Sequence, residues 1–128
     1  VYSLLPHGGP WSVETQREAY ALNDPLLLHV PEETAVSPSN LINKPFVAVD
    51  RPNVIIETVK QAEDGEGVVV RLYESMRRRG PVTLTANFPF TEVWRANVLE
   101  DKQEKLVGNG RHVSFTINPY EIVTIRLL

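Results

Sequence analysis

Apolar and polar residues alternate with a period of two through much of this chain. Val82, Leu84, Ala86 and Phe88 fall on one face, with Thr83, Thr85 and Asn87 on the other. Val113, Phe115 and Ile117 alternate with Ser114 and Thr116, and Val123, Ile125 and Leu127 alternate with Thr124 and Arg126. Successive side chains of a strand point to opposite faces, so this period predicts strands with one buried face. The expected core is Val82, Leu84, Phe88, Val113, Phe115, Ile117, Val123, Ile125 and Leu127. Turn signals separate the runs at short intervals: Arg51-Pro52-Asn53, Glu63-Asp64-Gly65-Glu66-Gly67, Gly80-Pro81, Gly108-Asn109-Gly110 and Asn118-Pro119. Short strands at this spacing, with no crossover helices between them, predict an antiparallel β-sandwich.

The first third has a different period. Ser12 is an N-cap residue, Glu14 suits the positive end of a helix dipole, and Asn23-Asp24-Pro25 is a stop. One short helix is predicted between them, with Val13, Arg17 and Tyr20 on one face and Ala19 and Leu22 beside it. Apolar strands are expected at Tyr2–Leu5 and Pro25–Val30, and Pro31–Asn43, rich in Glu, Ser, Pro and Asn, reads as an ordered loop. The fold class is therefore mainly β, an antiparallel β-sandwich with one short α-helix near the N-terminus, in a single domain over 1–128. An apolar strand and a Pro-His-Gly-Gly-Pro-Trp turn at the very start read as the middle of a sheet. The chain is expected to be a piece of a larger enzyme.

Composition narrows the classes. With 128 residues, 42% hydrophobic and 23% charged, the chain can bury a core without staples. Its net charge of −3 offers no field for nucleic acid. The apolar runs Leu26–Leu28 and Val68–Val70 are too short to span a bilayer, so no membrane partner is expected. Zero cysteines exclude thiolate metal sites and fit a reducing compartment, with a cytoplasmic location expected.

Candidate chemistry is sparse. His7, His29 and His112 lack companions at metal-ligand spacing, and His29 and His112 fall in or beside strand patterns. No Gly-x-Ser-x-Gly elbow is present, and Gly8-Gly9 is not followed by the Lys-Ser/Thr of a phosphate loop. The acids Glu63, Asp64 and Glu66 lie in a Gly-rich turn, where solvated carboxylates are the ordinary outcome. No catalytic residue, no metal ligand and no cofactor is assigned to this chain. Arg77-Arg78-Arg79 is the strong charge block; it reads as an exposed hairpin tip, or as planar donors that dock on an acidic surface or reach a neighbouring cleft.

The stretches "SLLPHGGPW…REAYALNDPL", "VIIETVKQAEDGEGVVVRLYES", "ANVLED" and "INPYEIVTIRLL" resemble, in order, the C-terminal region of glycoside hydrolase family 38 α-mannosidases. The resemblance runs from Tyr2 to Leu128. It implies a β-sandwich that packs against the catalytic domain of a large retaining exo-mannosidase, with zinc and the aspartate nucleophile in an N-terminal domain absent from these residues. One departure stands out: Pro10 occupies the place where the family pattern has Asp, so a hydrogen-bonding or ligand role for that Asp is lost here.

The resemblance implies an accessory domain, inactive alone, that contacts the catalytic domain through His7, Trp11, Arg77, Arg78 and Arg79, with a mannose-containing glycan as partner of the parent. An alternative is a carbohydrate-binding module. It would need exposed aromatic platforms, and Trp11, Tyr20 and Tyr120 are the candidates among two Trp, four Tyr and four Phe. A freestanding enzyme is the least favoured class. An unpaired N-terminal segment predicts weak self-association as a homodimer.

Overall fold

The computed structural model describes residues 2–28 and 44–128. The chain divides into two compact units, Val1–Asn43 and Lys44–Leu128.

In the first unit, α1 (Val13–Asn23) begins as its sequence predicts. The Thr15 N–H donates to Ser12 Oγ and the Ser12 N–H donates to Thr15 Oγ1 (3.4 and 3.3 Å), a reciprocal capping box. Ser12 Oγ also donates to Glu14, which holds that exposed carboxyl below its ordinary value. At the far end the Asn23 amide donates to the Ala19 carbonyl, the Asp24 N–H donates to that of Tyr20, and Pro25 prevents continuation. Two expectations need correction. Tyr2–Leu5 and the described residues 25–28 form no strand, and Tyr2, Leu4, Leu26, Leu27 and Leu28 are almost fully exposed. A run of a few apolar residues carries no information about its partner, and backbone groups without a partner edge do not become a strand. The rest of that second expected strand, His29 included, and the 31–43 loop lie outside the described residues.

The second unit is a sandwich of two antiparallel sheets, as predicted. Sheet one has the order β1 (Val47–Val49), β4 (Gly80–Ala86), β7 (His112–Ile117). Sheet two has the order β2 (Val54–Gln61), β3 (Val68–Glu74), β8 (Ile122–Leu127), β5 (Val93–Ala96), β6 (Lys102–Leu106). Val82 and Leu84 from β4 and Val113, Phe115 and Ile117 from β7 pack with Val70, Leu72, Val123, Ile125 and Leu127 of the other sheet. Eight of the nine expected core residues are buried, while Phe88 lies past the end of β4, half-buried and stacked on Phe46 with ring centroids 4.5 Å apart.

β8 departs from the one-faced pattern. Thr124 and Arg126, expected to face solvent, are buried like their neighbours. β8 is the central strand of its sheet, and the 97–101 loop returns over its outer face, where the Glu100 carbonyl accepts from Arg126 and the Val98 carbonyl from Arg71. The β2–β3 turn is equally close. A Cβ on Gly67, whose φ is +85°, would sit 2.1 Å from the Leu127 carbonyl oxygen, so only glycine lets this turn lie against the end of β8.

Candidate functional site

Two polar clusters mark opposite ends of β3. At its C-terminal end Glu74 is buried, and the donors to it from Asn53, Met76 and Tyr120 are neutral. The Asn53 amide (2.8 Å) and the Met76 N–H (2.7 Å) donate to Oε1, and the Tyr120 N–H (3.0 Å) donates to Oε2. Burial pushes the Glu74 carboxyl up, but these bonds and one from the Arg78 backbone N–H outweigh it and hold the group below its ordinary value. Glu74 therefore ties together the start of β2, the loop after β3 and the β7–β8 turn. Two residues near it, Arg77 and Tyr120, have φ of +58°, a left-handed conformation that non-glycine residues keep only when their surroundings hold it.

At the other end Arg126 donates to Asp64, to the Glu66 carbonyl and to the Glu100 carbonyl. Its hydrogen bond is the main cause that holds the Asp64 carboxyl below the usual range. Glu100 pairs with Lys60 at 2.8 Å and accepts from the Glu63 N–H at 2.8 Å, and its carboxyl is also held down, chiefly by Lys60. Lys60 is raised in turn by Glu100 and then by Glu63, which it also contacts. One acid of the Gly-rich turn is thus not simply solvated: the Asp64 carboxylate locks the turn to β8, and the Glu63 backbone N–H ties it to Glu100 of the 97–101 loop. Among the described residues no three His, Cys, Asp or Glu side chains are grouped to hold a metal.

The remaining feature is the loop after β3. Arg77, Arg78 and Arg79 are exposed there, and Arg78 and Arg79 share a cavity of about 270 Å³ with Arg51 from the β1–β2 turn. The first unit carries His7, exposed, and Trp11, 54% exposed, in the irregular segment before α1. A shallow groove of about 430 Å³ runs along α1 between Leu5, Ala19 and Leu22. Of the expected contact residues, the structure groups the arginines in the second unit and places His7 and Trp11 in the first.

Residues 53–125 match the model of the glycosyl hydrolases family 38 C-terminal beta sandwich domain. The chain belongs to this family. It is 30% identical over 131 residues to "Alpha-mannosidase G" of Dictyostelium discoideum and 31% identical over 133 residues to "Alpha-mannosidase 2C1" of Homo sapiens. Each alignment covers 99% of this chain and 12% of the relative. "Alpha-mannosidase" of Saccharomyces cerevisiae is 23% identical over 148 residues, 98% of this chain and 13% of that protein. The chain thus spans about an eighth of the length of the curated relatives it matches.

As a family 38 C-terminal sandwich, the protein puts its motif residues to structural use. Lys60, Glu63 and Asp64 of the Val-Lys-x-Ala-Glu-Asp stretch, with Glu100 of ANVLED, build the cluster around Arg126. Arg71 of Arg-Leu-Tyr-Glu holds the 97–101 loop, and Glu74 of the same stretch is the buried anchor. Glu121, which opens Glu-Ile-x-Thr, accepts from the Asn118 backbone and pairs with Arg95 at 2.7 Å. Sequence reasoning missed Glu74 and Arg51. The signal for Glu74 was present, because it continues the Val68, Val70, Leu72 face at a period of two. An acid on a core face needs donors, and that requirement points to a polar node. No local signal joins Arg51 to the arginine run.

Proposed function

We propose that this chain is the C-terminal accessory sandwich of a larger α-mannosidase and packs against that enzyme's catalytic domain without catalysing the reaction itself. The parent hydrolyses terminal α-mannosyl residues of a glycan, with zinc held outside the residues described. The observation that carries the reading is coverage: nearly the whole chain aligns, yet it accounts for 12% of each α-mannosidase. The exposed apolar residues Tyr2, Leu4, Trp11, Leu26, Leu27 and Leu28 supply a surface of the kind that a neighbouring domain buries. His7, Trp11 and Arg77–Arg79 belong to this contact in our reading. A carbohydrate platform on the Trp94 ring is less favoured, because the Lys102 and Lys105 ammonium groups lie 5.9 and 5.4 Å from its centroid. The test is co-elution of this chain with a separately expressed remainder of the parent. A stoichiometric complex is expected; two independent species at micromolar concentration overturn the packing role.

A further inference from the structure

Positive charge is unevenly satisfied in the sandwich. Lys60, Arg95, Lys105 and Arg126 each pair with a carboxylate. Among the described residues Arg51, Arg77, Arg78 and Arg79 form no ion pair, and neither do Arg17, Lys44, Arg71, Lys102 and Arg111, which lie elsewhere in the sequence. Three of the four line the same cavity of about 270 Å³, over the buried side chains of Val82 and Ile117. In a chain of net charge −3, three guanidinium groups without an ion pair share one spot.

The spot is built rather than draped. Arg51 Nε donates to the Pro81 carbonyl at 3.0 Å, and a Cβ on Gly80 would come within 3.6 Å of its Nη2, so the guanidinium lies close over the start of β4. On the opposite wall the loop that carries Arg78 and Arg79 is fastened by the Met76 and Arg78 N–H groups on the Glu74 carboxylate. Fixing the donors before a ligand arrives lowers the ordering cost of binding.

We propose that the Arg51–Arg78–Arg79 cavity is the receptor for a carboxylate side chain, presented by an acidic segment of the parent polypeptide with an apolar residue beside it. The guanidinium fork matches a carboxylate through two parallel N–H···O bonds, and the exposed Pro52 and Pro81 in the same lining offer apolar surface for the neighbour. A nucleic-acid backbone fits less well, because it needs a basic stripe that extends beyond one cavity. The identity of the donor polypeptide rests on the packing reading, whereas the chemistry of the cavity does not.

The experiment is an NMR titration of the 128-residue chain that follows the arginine Nε–Hε and Gly80 amide signals. The probes are a capped Leu-Glu-Glu-Leu peptide, its Gln counterpart, inorganic phosphate and an oligothymidylate. Saturable shifts at Arg51, Arg78, Arg79 and Gly80 with the Glu peptide, absent with the Gln peptide, are expected. Arg79→Gln, which breaks no hydrogen bond of the fold, weakens this binding about fivefold or more, as loss of a charge-assisted bidentate contact implies. Arg111→Gln on an exposed turn leaves it unchanged, and unshifted Val82 and Ile117 methyl signals show that each variant is folded. Equal response to both peptides, no saturation, or binding of phosphate or oligothymidylate in preference to the Glu peptide overturns the proposal. The packing reading fails separately, in the co-elution experiment.

Discussion

Replacing Glu74 with Gln tests whether a buried carboxylate organises one end of the sandwich. The carboxylate accepts at both oxygens, from Asn53 and Met76 at Oε1 and from Tyr120 at Oε2. Glutamine keeps the volume but has one acceptor oxygen, and its NH₂ group faces whichever donors it displaces. At least one bond from a backbone N–H is lost. Hydrogen bonds to charged groups contribute about 1.5–3 kcal/mol each, and removing a buried charge returns part of that loss, so the net cost is about 2–4 kcal/mol. For a domain of this size that lowers Tm by about 10 °C. The pH dependence has a definite sign. The Glu74 carboxyl is held below its ordinary value of 4.5, so its contribution is complete above that value and lost as pH falls through the depressed folded value. The gap between wild type and Glu74→Gln should be full at neutral pH and shrink below about pH 4.5. Urea unfolding followed by circular dichroism, at neutral and at acid pH, measures both quantities. A neutral-pH cost below about 1 kcal/mol, the scale of a surface change, or a gap independent of pH refutes the anchoring role.

Other expectations follow from the same packing. Phe115→Ala should cost about 3–5 kcal/mol in urea unfolding, the range for a buried aromatic; less than about 1 kcal/mol would mean that the face of β7 is wrongly assigned. Gly67→Ala should cost about 3 kcal/mol or more, since it combines a positive φ with a backbone clash; wild-type stability would contradict the close approach of the turn to Leu127. Residues 2–12, irregular and exposed, should exchange amide hydrogens much faster than β7, and the chain should self-associate weakly on sedimentation. A strictly monomeric chain with residues 2–12 as protected as β7 would contradict the exposed-surface reading.

The parts of the fold that were legible in the sequence are those in which a local pattern carries the whole physical cause. β4 and β7 alternate because one face meets the core and the other meets water. The helix start is written in Ser12 and Glu14, and the turns in Gly and Pro. Legibility failed where the cause lies elsewhere in the chain. Thr124 and Arg126 read as solvent-facing because nothing in β8 announces the loop that covers them. Tyr2–Leu5 and Pro25–Val30 read as strands because apolar runs report a preference for burial, not the presence of a partner edge. The candidate site was half legible: the arginine run stood out, while Arg51 joins it only because the β1–β2 turn and the start of β4 meet in space.

The proposed role has this sandwich support a mannosidase without supplying its chemistry. The most direct measurement compares hydrolysis of an aryl α-mannoside, with zinc present, by this chain alone, by the remainder of the parent alone, and by the two mixed. The account predicts no turnover from this chain, and turnover by the mixture that is higher or longer-lived than that of the remainder. Zinc-dependent turnover by this chain, or a remainder whose activity and lifetime are the same with and without it, would contradict the account.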